Sequence, residues 1–78
     1  TMPAPTEAVM NPDDVMREIE VRLRRRLGGR LREFSVAIEP DGVTLWGLVP
    51  TYYGKQMAQE VAMQVSGLNV AANHIDVY

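Results

Sequence analysis

The hydrophobic period of this chain changes abruptly at Gly28-Gly29, and that change limits the folds open to it. Ahead of the glycines, Met16, Ile19, Leu23 and Leu27 recur at three- or four-residue spacing, which places them on one face of a helix. Val21 falls outside that stripe. Beyond the glycines the period is two: Phe34, Val36 and Ile38 alternate with Ser35, Ala37 and Glu39, as in a half-buried strand. The helix has a clear start in Asn11-Pro12-Asp13-Asp14. Asn11 can accept a bond from the orphan amides, Pro12 suits the first turn, and the two aspartates complement the positive end of the dipole. Met10 and Val15 are spaced to form a hydrophobic staple. Residues 1–10, with Pro3 and Pro5, carry neither period and are expected to form a flexible arm ahead of a single domain over residues 11–78.

The remaining elements follow from turn chemistry. Pro40-Asp41-Gly42 breaks the first strand, and Val43 to Val49 reads as its hairpin partner. Pro50 ends that strand and Thr51 can cap a second helix, with Met57, Ala58, Val61, Ala62 and Val65 as its apolar stripe. Ser66-Gly67 closes it. Ala71 to Tyr78 alternates again, with Ala71, Asn73, Ile75 and Val77 on one face and Ala72, His74, Asp76 and Tyr78 on the other. The order is helix, strand, strand, helix, strand. The fold expected is α+β: a two-layer αββαβ sandwich in which two helices cover one face of a three-stranded mixed sheet. The second helix is a crossover, so the second and third strands are expected to run parallel.

Composition excludes several classes. The chain has 78 residues, no Cys and one His, so disulfide frameworks, thiolate metal sites and Cys nucleophiles are ruled out. No apolar run approaches the roughly 18 residues that cross a bilayer as a helix. At this size nearly every large apolar residue must serve the core.

Within residues 34–77, Gly42-Val43-Thr44-Leu45, then Gly47, then Val49-Pro50-Thr51-Tyr52 form a spaced pattern. Ala58, Ala62, Gly67, Asn73, Ile75 and Val77 continue it. This pattern resembles the BON domain, a bacterial module of osmotically induced periplasmic and nodulation proteins. With the first helix included, the resemblance covers roughly residues 12–78. Gly42 suits a turn of positive φ, and Gly47 is expected to let a helix approach its strand closely. The resemblance implies an αββαβ fold, a place in the bacterial envelope or periplasm, phospholipid or membrane binding, and roles in interaction or assembly. It implies no catalytic residues. The chain departs from the family at Trp46 and Leu48, two outward positions that are usually polar.

The net charge of −2 conceals a cationic segment. Between Arg17 and Arg32, seven arginines (Arg17, Arg22, Arg24, Arg25, Arg26, Arg30 and Arg32) face only Glu18 and Glu20, leaving +5. These arginines are the candidate anionic-surface site, for phospholipid headgroups or nucleic acid phosphates. Helical geometry sets Arg17 and Arg24 on one flank of the apolar stripe, Arg22 and Arg26 on the other, and Arg25 outward. The plainer alternative is a solvated helix face with Glu18–Arg22 and Glu20–Arg24 pairs. Insertion of the helix into lipid is disfavoured, because Met16, Ile19, Leu23 and Leu27 are needed in the core. Any lipid contact would be peripheral. Nucleic acid is the weaker target, for want of a basic sheet surface with stacking aromatics.

The second candidate is the uncovered sheet face. Parity puts Thr44, Trp46 and Leu48 there, with Ser35, Ala37, His74 and Tyr78. An apolar patch of this kind suits a protein partner or a second copy of the chain, which makes structural assembly the alternative function. The arm, through Met2, Val9 or Met10, could instead fold across Trp46. Tyr52 and Tyr53, at the start of the second helix, are possible interface tyrosines. The plainer expectation for them is that one packs on the core edge and the other is exposed. His74 lacks the neighbours of a metal site, and no cofactor is expected. Ser35 and Ser66 have no evident His–acid partners, so the chain is expected not to be an enzyme.

Overall fold

The structure, a computed structural model, describes residues 11–78; the expected arm over residues 1–10, and the staple through Met10, lie outside the described residues. Helix α1 spans Pro12–Leu27 and runs into a single 3₁₀ turn, Gly28–Arg30. Strand β1 (Arg32–Glu39) and strand β2 (Gly42–Val49) form the hairpin. Helix α2 (Tyr52–Ser66) then crosses over to strand β3 (Val70–Val77). The sheet order is β1-β2-β3, with β1 and β2 antiparallel and β2 and β3 parallel. This is the expected α+β arrangement of two helices and a three-stranded mixed sheet.

Each helix is held at its ends as its sequence directs. The Asn11 side chain accepts from the Asp14 amide at 2.9 Å, and Thr51 Oγ1 accepts from the Gly54 amide at 3.0 Å. Gly67 ends α2 in the left-handed conformation at φ 72°. The Ser66 hydroxyl donates to the Ala62 carbonyl and accepts from the Leu68 amide, which tightens the exit from the helix.

One core joins the two layers. Ile19, Leu23 and Leu27 of α1 meet Ala58, Val61 and Ala62 of α2, and both sets rest on Val43, Leu45, Val49 and Ile75 of the sheet. Two residues alter the expected inventory. Val15, not Met16, packs against the core cluster, so the stripe of α1 is a single row at 15, 19, 23 and 27. Leu31, in the connection to β1, is 2% exposed and belongs to the core. Val77, expected on the inward face, is exposed.

The role of Gly47 also differs from expectation. Between Arg32 and Ser35 the register of β1 slips, and Glu33 adopts φ 54°, so Glu33 and Phe34 together stand opposite Gly47. A Cβ on Gly47 would lie 3.3 Å from the Arg32 carbonyl oxygen and 3.3 Å from Phe34 Cα. The close approach that requires glycine is therefore the bulged strand, not a helix. Gly42 has φ 135°, and a Cβ there would run into the Asn69 carbonyl, the group that accepts from Val43 N at 2.9 Å.

Candidate functional site

The seven arginines do not form one surface. Three are paired along α1: Arg22 with Glu18 at 2.7 Å, Arg24 with Glu20 at 2.9 Å, and Arg17 with Asp14 at 3.7 Å. The first two are the pairs that the four-residue spacing anticipates. Arg24 also donates from its guanidinium to the Leu31 carbonyl at 3.0 Å, so it braces the end of α1 against the chain leading into β1. Arg32 is on the outward face of β1, opposite Leu48, and its guanidinium carbon lies 5.7 Å from the centre of the Tyr78 ring. Among the described residues, Arg25, Arg26 and Arg30 have no carboxylate within 4.0 Å.

Two of these free cations come together in a shallow groove of about 320 Å³ between the helices. Glu18, Arg22, Arg25 and Arg26 of α1 line one side, and Val61 and Gln64 of α2 line the other. Arg25, expected to point outward, belongs to this groove. The packing of α2 beside α1 creates a wall there that the single-helix projection lacks. Arg30 sits in the 3₁₀ turn beyond the end of the helix.

The open sheet face is ordered in rows across the strands. Arg32, Leu48 and Asp76 form the first row, and Ser35, Trp46 and His74 the second. Ala37, Thr44 and Ala72 form the third, and Glu39 and Gly42 the fourth. Trp46 is 40% exposed, and its ring stacks on His74 with centroids 6.0 Å apart and planes 27° apart. Thr44, expected to be an exposed contact, is only 7% exposed. It lies in the central strand between two alanines, and its hydroxyl donates to the Glu39 carboxylate at 3.3 Å. Leu48 is half-buried.

Tyr78 does not stand on this face as a free contact. Its amide donates to the Val49 carbonyl at 2.8 Å and its hydroxyl to the Arg30 carbonyl at 3.0 Å, so it closes one end of the sheet. Tyr52 and Tyr53 are both about two-thirds exposed (65% and 67%), so neither packs on the core edge. Tyr52 lines a second shallow groove, with Lys55, Gln56, Gln59 and Asn73, between α2 and β3. Asn73 is tied there, donating to the Lys55 carbonyl at 3.1 Å and accepting from the Ile75 amide at 3.1 Å.

Among the described residues no group of three or more His, Asp or Glu side chains could hold a metal ion. No described helix is long and apolar enough to cross a membrane. The chain matches no family model, no curated protein and no solved structure.

Proposed function

We propose that this chain is a non-enzymatic binding module of the bacterial envelope, resembling BON domains, that contacts anionic phospholipid surfaces peripherally through α1. The observation that carries the reading is the groove between the helices. Among the described residues Arg25 and Arg26 have no carboxylate partner, and they stand beside Arg22, which is paired with Glu18, and across from Val61 and Gln64. Guanidinium groups give paired N–H donors to phosphate oxygens, and each basic group near an anionic bilayer contributes about 1 kcal/mol. The apolar side of α1 is held in the core, so the contact is made by side chains at the surface and not by insertion. The envelope location rests on the family resemblance.

Co-sedimentation with vesicles tests this reading. Vesicles containing anionic phosphatidylglycerol should retain the chain at low salt and release it as ionic strength rises. Purely zwitterionic vesicles should not retain it. The R25E/R26E variant should lose retention while keeping its helical signal. Equal retention of that variant, or equal binding to neutral vesicles, would show the reading to be wrong.

A further inference from the structure

We infer that the open sheet face is a self-complementary surface on which a second copy of this chain docks, strands antiparallel, about a two-fold axis lying across the strands. The axis would pass between the Trp46 row and the Thr44 row. It sets the bulky row of one copy, Ser35, Trp46 and His74, over the small row of the other, Ala37, Thr44 and Ala72. Each copy supplies one ridge and one trough, as an isologous interface requires. The stacked Trp46–His74 pair is the ridge. The low exposure of Thr44, with Ala37 and Ala72 half-buried beside it, marks the trough.

One pair of opposite charges, Arg32 and Glu39, falls in the same register. The rotation that exchanges the two inner rows also exchanges the two outer ones. Arg32, at one end of β1, then faces Glu39, at the other end of β1 in the second copy, and the contact occurs twice. Both groups are on this face: Arg32 is directly opposite Leu48, and the Glu39 carboxylate accepts from Thr44 Oγ1. A two-fold axis parallel to the strands would bring neither the ridge to the trough nor Arg32 to Glu39.

The size of the face sets the strength of the contact. Three strands about 4.8 Å apart and eight residues at about 3.3 Å make a face of roughly 370 Å² in projection. Two such faces bury on the order of 800 Å² in total, below the range of permanent dimers, so the association is reversible and concentration-dependent. Sheets that pack face to face lie within about 30° of alignment, which the pairing of whole rows allows.

Charge exchange combined with sedimentation velocity tests the arrangement. Over roughly 10 µM to 1 mM, where weak interfaces of this size act, the chain should shift from monomer towards dimer. R32E and E39R should each weaken the dimer about tenfold or more, because each sets like charges together at two sites. The double variant R32E/E39R should recover most of the loss, since the pair is reformed in reverse. Circular dichroism on each variant separates loss of association from loss of fold. A chain that stays monomeric throughout, whether residues 1–10 or another protein covers the face, would overturn the inference. So would a dimer indifferent to both single exchanges, or one that the double exchange fails to recover.

Discussion

Tyr78 donates its hydroxyl to the backbone carbonyl of Arg30 at 3.0 Å, joining residues 48 positions apart. The same ring lies under the Arg32 guanidinium, and the Tyr78 amide bonds to Val49. One residue just past β3 thus ties together the start of β1 and the turn that leaves α1 through its side chain, and the end of β2 through its backbone amide. Removing only the hydroxyl, in Y78F, should lower stability by about 0.5 kcal/mol, the low end for a partly exposed hydrogen bond. Y78A should cost about 1–2 kcal/mol, because the contact with Arg32 goes too. Urea denaturation of both variants measures this, and a cycle with R32A isolates the ring contribution. Equal stability of Y78F and the parent would mean that water replaces the bond without cost.

Two glycines should respond very differently to alanine. Gly42 combines φ 135° with a Cβ position that runs into the Asn69 carbonyl, and that carbonyl is fixed by its bond to Val43 N. G42A should therefore cost about 2–3 kcal/mol or more, through strain and the displaced bond. Gly29 has open space around its Cβ position and no positive φ. G29A should stay within about 0.5 kcal/mol of the parent, because the added methyl meets open space and restricts the unfolded chain. Thermal unfolding of the pair under one buffer checks the contrast.

Much of this architecture was legible because its signals are local. The Asn11 and Thr51 caps, the Gly67 stop and the two-residue Pro40-Asp41 turn each depend on a few neighbouring residues. The helix pairs Glu18–Arg22 and Glu20–Arg24 follow from spacing alone. What escaped depends on partners distant in sequence. Met16 and Val15 are both compatible with the stripe of α1, and only the position of the sheet decides that Val15 faces the core. The bulge at Glu33 and Phe34 breaks the alternation of β1 where a pattern of period two has least to say. Arg25 acquires a groove only because α2 packs beside α1. The burial of Thr44 likewise reflects small neighbours on both flanking strands, a fact invisible along one strand.

Leu31 shows the same limit in energetic terms. It sits in a connection rich in arginine and glycine, with no periodic neighbours, yet it is among the largest fully buried side chains. L31A should destabilise by about 2–4 kcal/mol, the range for truncating a buried leucine, whereas M16A should cost about 1 kcal/mol or less. Chemical denaturation of the two variants compares them directly. A larger loss for M16A would contradict the assignment of the α1 core row to Val15, Ile19, Leu23 and Leu27.

The ion pairs on α1 bear on function more than on stability. Glu18 and Glu20 neutralise Arg22 and Arg24 at partly exposed positions, where such pairs contribute only a few tenths of a kcal/mol. Replacing both with glutamine should therefore leave the fold nearly unchanged. It removes two negative charges from the Arg17–Arg32 segment and frees the Arg22 guanidinium at the edge of the helix groove. If that groove meets an anionic bilayer, E18Q/E20Q should bind phosphatidylglycerol vesicles several-fold more tightly than the parent. Its binding should also fall more steeply with salt, because more charge takes part. Arg24 keeps its bond to the Leu31 carbonyl, so most of the gain should come from Arg22, and E18Q alone should exceed E20Q. Vesicle titrations at two salt concentrations distinguish these outcomes. Unchanged affinity in the double variant, with the fold intact, would place the bilayer contact elsewhere on the molecule.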